Sequence, residues 1–335
     1  MIPYEWFEQA EARIAPHIQK TPLTWDAKRG LLIKWENHQA TGSFKPRGAL
    51  NKVLSLADWE RTPGLVAASA GNHGQGVALA GRLTGVAVEV FVSEHAVPAK
   101  VKAMRDLGAQ IFFVKGGYAR AESAGREYAQ THHKVFISPY NDRQVIAGQG
   151  TIGLEILREL THNPNLSSFQ KEEGIKRNGE AVNWIVPTGG GGLISALGAL
   201  LNKLESRPRL IAVQAAASPF THSLFHHHTQ AGVQDLPTLA DGLSGPVEEG
   251  SVTIPMIEEF VDDFILVSEE EIARSIAFAW FVYHERIEGS AAVGLAPVIT
   301  GKVKERSSVV IITGGNIQPE VHEKIVARYA GETWD

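Results

Sequence analysis

The sequence predicts an α/β protein with mostly parallel strands, built as two units. Short apolar runs alternate along the chain with stretches of helical periodicity. Its 335 residues fit two hydrophobic cores better than one. Glycine-rich turns follow several of the apolar runs, at the strand ends where open parallel sheets bind ligands.

Each element has a local reason. Leu65 to Ala68 reads as a strand, followed by the loop Ser69-Ala70-Gly71-Asn72-His73-Gly74 and a helix from about Gly76. Val88 to Val92 is a second strand. Pro98 then opens a helix with Val101, Met104 and Leu107 on one side, closed by Gly108, and Ile111 to Val114 is the next strand. Residues 51–142 therefore form a βαβ-type unit of their own. The grammar repeats later: strand Trp184-Ile185-Val186, turn Gly189-Gly190-Gly191-Gly192, helix Leu193 to Leu204. Ser268 with Glu271 is a capping box ahead of a helix carrying Ile272, Ile276, Trp280 and Tyr283. Val309 to Ile312 is a last buried strand, ending at Thr313-Gly314-Gly315-Asn316. The polar residues 161–181 read as a surface excursion.

Composition narrows the function. Apolar residues make up 44% and charged residues 21%, an ordinary globular balance. A net charge of −5 gives no grip on nucleic acid or an anionic membrane. No apolar run approaches a membrane span, and Glu5 and Glu8 do not suit a secretory leader. A cysteine count of zero excludes disulfides and thiolate chemistry within the chain. The expected location is the cytoplasm.

Three segments carry chemistry. Lys45 stands in Thr41-Gly42-Ser43-Phe44-Lys45-Pro46-Arg47-Gly48-Ala49. An amine between a small polar turn and an aromatic ring can be desolvated, which favours its neutral, imine-forming state. Arg47 either helps hold that amine neutral by repulsion or faces solvent. The four glycines at 189–192, between strand and helix, let backbone N–H groups and a helix N-terminus surround a phosphate, or else form a tight turn. Neither a dinucleotide fingerprint nor a Walker lysine is present. The Ser69 to Gly74 loop offers a hydroxyl, an amide, an imidazole and backbone N–H groups suited to a carboxylate, or else an Asx-type helix cap.

These segments resemble the pyridoxal-phosphate enzymes of fold type II, the tryptophan synthase beta-like fold, and within them the serine/threonine dehydratases and related serine racemases. The likeness runs in family order through Lys34-Trp35-Glu36, Thr41 to Gly48, Ser69 to Gly76, Val145 to Thr151, the four glycines, Ala240-Asp241-Gly242, Ile287-Glu288 and Thr313 to Asn316. It implies two open, twisted, mostly parallel sheets with the cofactor between them. Residues 1–50 and 143–335 would form the large cofactor-binding domain, and 51–142 the small substrate-loop domain. Lys45 would hold pyridoxal 5'-phosphate as an imine and act as the catalytic base. Phe44 would pack on the ring, Asn72 would bond its 3′ oxygen, and Gly189, Gly190, Gly191, Gly192 and Leu193 would hold the phosphate. Ser69, Ala70, Gly71, Asn72 and His73 would hold the substrate carboxylate. Glu288 would lie near the ring, and Thr313 beside the pyridine nitrogen. A neutral hydroxyl there makes a milder electron sink, which favours early loss of a β-leaving group.

The implied reaction is β-elimination of water from L-threonine or L-serine, giving a 2-oxo acid and ammonia. Racemisation needs a second acid on the opposite face, where related racemases place a serine and this chain has Ala70. Hydroxyaspartate or phenylserine as substrate, β-replacement and a non-catalytic binding role are the other readings. The resemblance also implies a homodimer. A family cation site expects a Glu-Pro pair where this chain reads Gln214-Ala215-Ala216, so no metal is expected there. His222, His226, His227 and His228 read as a solvated run rather than a metal site. Tyr140 and Asn141 are expected to line the site. Nineteen residues follow Asn316, so neither a C-terminal regulatory domain nor isoleucine feedback is expected.

Overall fold

The computed structural model describes residues 2–162, 182–303 and 307–334. The chain opens with α1 (Tyr4–Ile14), the hairpin β1 (Leu23–Asp26) and β2 (Leu31–Trp35), then α2 (Lys45–Ser55) and α3 (Asp58–Arg61). A run of alternating elements follows: β3 (Leu65–Ala68), α4 (Asn72–Thr84), β4 (Val88–Ser93), α5 (Pro98–Asp106), β5 (Gln110–Val114), α6 (Tyr118–Thr131) and β6 (Val135–Phe136). The long α7 (Arg143–His162) leads on to β7 (Asn183–Pro187), α8 (Gly192–Leu201), β8 (Arg209–Ala215) and α9 (Phe220–His227). The last elements are α10 (Thr253–Phe260), β9 (Asp263–Val267), α11 (Glu269–Tyr283), α12 (Gly289–Ile299), β10 (Ser308–Ile312) and α13 (Pro319–Arg328).

Two sheets result. The larger has the order β1-β2-β10-β7-β8-β9, parallel throughout except for the antiparallel edge strand β1. The smaller is β5-β4-β3-β6, all parallel. Both are covered by helices on two faces, which is why their central strands are mostly apolar, with Lys34 in β2 and Glu89 in β4 as buried charged exceptions. The pleat divides those residues between two cores: along β10, Val309 and Ile311 face α1, α7, α8 and α10, while Val310 and Ile312 face α11, α12 and α13. The small sheet divides likewise, Leu65 and Ala67 to one core and Val66 and Ala68 to the other.

The strands expected from the sequence form where apolar runs placed them. Ser268 and Glu271 make the expected capping box, each bonding the other's backbone N–H. Three details differ. Helix α4 begins at Asn72 rather than near Gly76, so Asn72 and His73 stand in a first helical turn. Helix α8 ends at Leu201, short of Leu204. Trp280 is 40% exposed, its ring edge against His322 rather than in the core. The polar excursion lies, from residue 163 on, outside the described residues.

Helix α2 packs between α4 and α7, and two glycines permit the approach. A Cβ at Gly76 would stand 3.1 Å from the carbonyl carbon of Lys45, and one at Gly148 would stand 2.5 Å from the carbonyl oxygen of Arg47. Among the described residues no helix is long and apolar enough to cross a membrane.

Candidate active site

Lys45 is the first residue of α2, and Pro46 after it suits a first turn, where a backbone N–H would have no acceptor. The segment before it is stitched to the carboxyl end of β10. Phe44 N–H donates to Thr313 O at 3.0 Å, Gly315 N–H to Gly42 O at 2.9 Å, and Ser43 bridges Gly314. Phe44 and Thr313, far apart in sequence, thus meet beside the lysine. The Lys45 amine donates to Pro139 O at 3.3 Å and stands 5.0 Å from the Phe44 ring centroid. Burial pulls its pKa from the ordinary 10.5 down to about 8, against an opposing pull from Glu288.

Arg47 does neither of the things expected of it. Its side chain is fully buried and forked onto Glu36, with Nε to Oε2 at 2.7 Å and Nη2 to Oε1 at 2.8 Å. It also donates to Glu155, Nη1 to Oε1 at 2.7 Å and Nη2 to Oε2 at 3.0 Å. Lys34 Nζ reaches the same Glu155 at 2.6 Å. Two cations and two carboxylates therefore balance beneath α2. The carboxylates hold the Arg47 guanidinium well above its ordinary range despite burial, whereas burial wins at Lys34 and lowers its pKa.

The glycine turn leads from β7 into α8. Gly191, the residue before the helix, has φ +86°, and no side chain caps the helix there. The carbonyls of the turn are held from outside: Thr221 Oγ1 donates to Gly189 O at 2.5 Å and Thr253 Oγ1 to Gly190 O at 2.7 Å. A Cβ at Gly190 would overlap the Tyr140 ring, and one at Gly192 would lie 3.0 Å from Tyr140 Cβ. Tyr140 thus covers the turn, and its neighbour Pro139 receives the Lys45 amine. The first N–H groups of a helix have no acceptor within it, so uncapped α8 offers Gly192, Leu193 and the turn before them to an anion. Asn141 lies alongside, its Oδ1 accepting from Val252 N–H at 3.0 Å.

The loop after β3 joins the same group of residues through Asn72. Ser69 Oγ accepts from Gly71 N–H at 3.1 Å, and Ala70 packs its methyl towards the core of the small sheet. The His73 imidazole is engaged elsewhere: Nε2 donates to Ile137 O at 2.8 Å. Burial and the nearby Lys45 lower its pKa to about 3, so the ring is neutral. Asn72 Nδ2 donates to Glu288 Oε1 at 2.7 Å. Burial and the charge of Asp241 push Glu288 up to about 7, against hydrogen bonds that favour its charged form. Glu288 N–H donates to Gly314 O at 3.1 Å, which closes the circuit back to Thr313.

Contacts therefore connect Lys45, Phe44, Thr313, Glu288, Asn72 and, through Pro139 and Tyr140, the glycine turn. The His73 side chain stands apart from the carboxylate loop, held by Ile137. Sequence reasoning missed Thr221, Thr253, Glu155 and the hydrogen bonds of Asn316. No local pattern signals them, since each acts on a residue distant in the chain. Among the described residues no group of three or more His, Asp or Glu could hold a metal ion. His222 and His226 instead pack ring to ring at 4.4 Å, and His222 N–H donates to Gln214 Oε1 at 3.1 Å.

The chemistry of this donor set suits pyridoxal phosphate: an amine of lowered pKa, an uncapped helix start behind a turn with no room for side chains, and a ring-sized apolar neighbour in Phe44. Comparisons with known proteins agree. The family described as "Pyridoxal-phosphate dependent enzyme" matches residues 14–315. The L-threonine ammonia-lyase of Thermotoga maritima is 35% identical over 333 residues, covering 97% of this chain and 78% of its own length. The L-threonine dehydratase catabolic TdcB of Escherichia coli (strain K12) is 35% identical over 323 residues, 92% of this chain and 91% of its own. Among solved structures, maize serine racemase matches with a TM-score of 0.83 at 26% identity, over 98% of each chain. The processed form of threonine deaminase isoform 2 from Solanum lycopersicum matches with a TM-score of 0.83 at 27% identity, over 98% of this chain and 93% of that one. With the family match running over residues 14–315 and relatives 35% identical over nearly the whole chain, the chain belongs to the family of pyridoxal-phosphate-dependent enzymes.

Proposed function

We propose that the chain is an L-threonine/L-serine dehydratase, an ammonia-lyase that eliminates water from a β-hydroxy amino acid and yields a 2-oxo acid and ammonia. Curated relatives named for L-threonine support the substrate class. When bound, pyridoxal phosphate supplies the electron sink that acidifies the substrate's α-proton. The residues of the chain do the rest. Gly189 to Leu193 hold the phosphate, Phe44 and Thr313 border the ring, and Asn72 directs an N–H towards its 3′ oxygen. Backbone N–H groups of the Ser69 to His73 loop, with the Ser69 hydroxyl, orient the substrate carboxylate. Lys45 would take the α-proton as general base. An amine with a pKa of about 8 is suited to that role near neutral pH.

The observation that carries elimination over racemisation is Ala70. Related racemases carry a serine at this position, and a methyl there has no proton to give to the second face of Cα, so on this reading Lys45 acts on one face alone. We propose the corresponding division of labour between the sheets, residues 51–142 carrying the substrate loop and residues 1–50 with 143–335 the cofactor. We also propose a cytoplasmic homodimer on the family resemblance, to be read from light scattering and cell fractionation. The decisive experiment incubates the cofactor-loaded protein with L-serine, L-threonine, hydroxyaspartate and phenylserine, following 2-oxo acid, ammonia and D-serine. A protein that holds the cofactor yet yields no 2-oxo acid from any of the four would refute the reading. D-serine exceeding pyruvate would replace it with racemisation.

A further inference from the structure

Asn316 completes a ring of hydrogen bonds with Asn72 and Glu288, and one backbone carbonyl sets the direction of the whole ring. Asn316 Nδ2 donates to Thr41 O at 2.8 Å and to Asn72 Oδ1 at 2.7 Å. An amide nitrogen has two hydrogens, and both are used. Thr41 O can only accept, so the Asn316 atom facing it must be the nitrogen. That nitrogen then requires an oxygen from Asn72. Asn72 must therefore turn its own nitrogen the other way, towards Glu288 Oε1 at 2.7 Å. The Asn316 backbone N–H also bonds Glu288, which closes the ring.

The ring is held on each side. Gly42, with φ +70°, lies against Asn316, and a Cβ there would stand 2.7 Å from Asn316 Oδ1. Gly315 N–H holds Gly42 O at 2.9 Å. Three elements meet here: the turn after β10, the start of α12 with Glu288 before it, and the first residue of α4. The ring therefore spans the two sheets.

We propose that Asn316 is a positioning residue that fixes the amide of Asn72, so that Asn72 presents N–H and not C=O to the cofactor. One hydrogen of Asn72 Nδ2 goes to Glu288, and the second remains for the 3′ oxygen of pyridoxal phosphate. A donor there favours the tautomer in which that oxygen carries negative charge. A flipped amide would set a carbonyl against the same oxygen and favour the tautomer with the proton on oxygen. The inference rests on the reading that Asn72 faces that oxygen, and its test separates the two.

The test uses Asn316→Asp, which keeps the shape but removes the donors, Asn316→Ser, which guards against a misfolded aspartate variant, and Asn72→Ala. Thermal unfolding of each apo-protein establishes folding. Two readouts follow, the dissociation constant for pyridoxal phosphate and the ratio of the visible to the near-ultraviolet band of the bound cofactor. Asn316→Asp should weaken cofactor binding at least about tenfold, equivalent to about 1.4 kcal/mol, and move absorbance into the near-ultraviolet band. In the Asn72→Ala background the same substitution should change neither readout further, because it acts through Asn72. A full additional effect in that background overturns the proposal, as do unchanged bands in both folded Asn316 variants while Asn72→Ala shifts them. If Asn72→Ala itself leaves both readouts unchanged, the placement of Asn72 fails and the proposal with it.

Discussion

Replacing Glu288 with glutamine removes the carboxylate charge that draws the Lys45 amine back towards its protonated form. In the native chain burial outweighs that pull and sets the amine at about 8 against an ordinary 10.5. At about pH 7.5 such an amine is roughly one quarter unprotonated, against about one part in a thousand for a solvated lysine, an advantage of roughly two hundredfold. Glu288 itself is pushed up only to about 7, so it is mostly ionised at the midpoint of the Lys45 titration. Its loss should lower the lysine further, by at least about half a pH unit or about 0.7 kcal/mol. Glutamine keeps an acceptor for Asn72. The assay is the rate at which apo-protein captures pyridoxal phosphate, followed by absorbance from about pH 6 to about pH 10.5. Native protein should reach half its plateau rate near about pH 8, and the Glu288→Gln variant at lower pH. A native midpoint near that of free lysine, or a variant midpoint unchanged or raised, would refute the argument that burial activates this amine.

Other expectations follow from the same geometry. Folded Glu288 keeps its proton up to about 7 and the unfolded group only to 4.5. The folded chain therefore binds more protons in that window, and its stability falls as pH rises through it. Glu288→Gln should accordingly stabilise the apo-protein on the order of 2 kcal/mol at about pH 8 and have little effect at about pH 4, by urea unfolding. Glu155→Gln strips Arg47 and Lys34 of a shared carboxylate and should cost about 3–5 kcal/mol in the same assay; a loss under about 1 kcal/mol would contradict a tightly coupled buried cluster. Gly76→Ala favours helix α4 locally by about 1 kcal/mol but crowds the Lys45 backbone. It should weaken cofactor binding by about tenfold or more, and unchanged binding in a stabler protein would show that the Lys45 backbone can yield. Ala70→Ser restores the hydroxyl that related racemases carry at this position, and chiral chromatography should then detect D-serine formation from L-serine.

The layers of the fold were legible because they depend on local pattern. Apolar runs such as Val309 to Ile312 have one way to be buried in a parallel sheet, and Ser268 with Glu271 names a helix start wherever it occurs. Lys45 and the glycine turn stand out as candidate chemistry for the same reason, their motif neighbours being adjacent in sequence. The partners of Arg47 were not. Its nearest charged neighbour in the sequence is Lys45, yet it is paired with Glu155, 108 residues away. The imidazole of His73 sits within the carboxylate-loop motif in sequence, whereas a first helical turn directs it to Ile137 O. Asn316 was visible only as the end of a motif, because its role depends on which of its two amide atoms meets Thr41.

The charge cluster under α2 also constrains how the protein can assemble. Glu36, Arg47 and Glu155 come from segments on opposite sides of the small sheet in chain order, and Lys34 is wholly buried with them. A partly built core that had placed Arg47 without Glu155, or Lys34 without either acid, would hold an unpaired charge away from water at several kcal/mol. Such half-assembled states are thereby depopulated. The hairpin β1–β2, the lysine-bearing helix and α7 are driven to dock together or not at all. The Lys45 amine is thus carried on a helix whose docking is tied to that of the hairpin and α7, and its placement inherits that cooperativity.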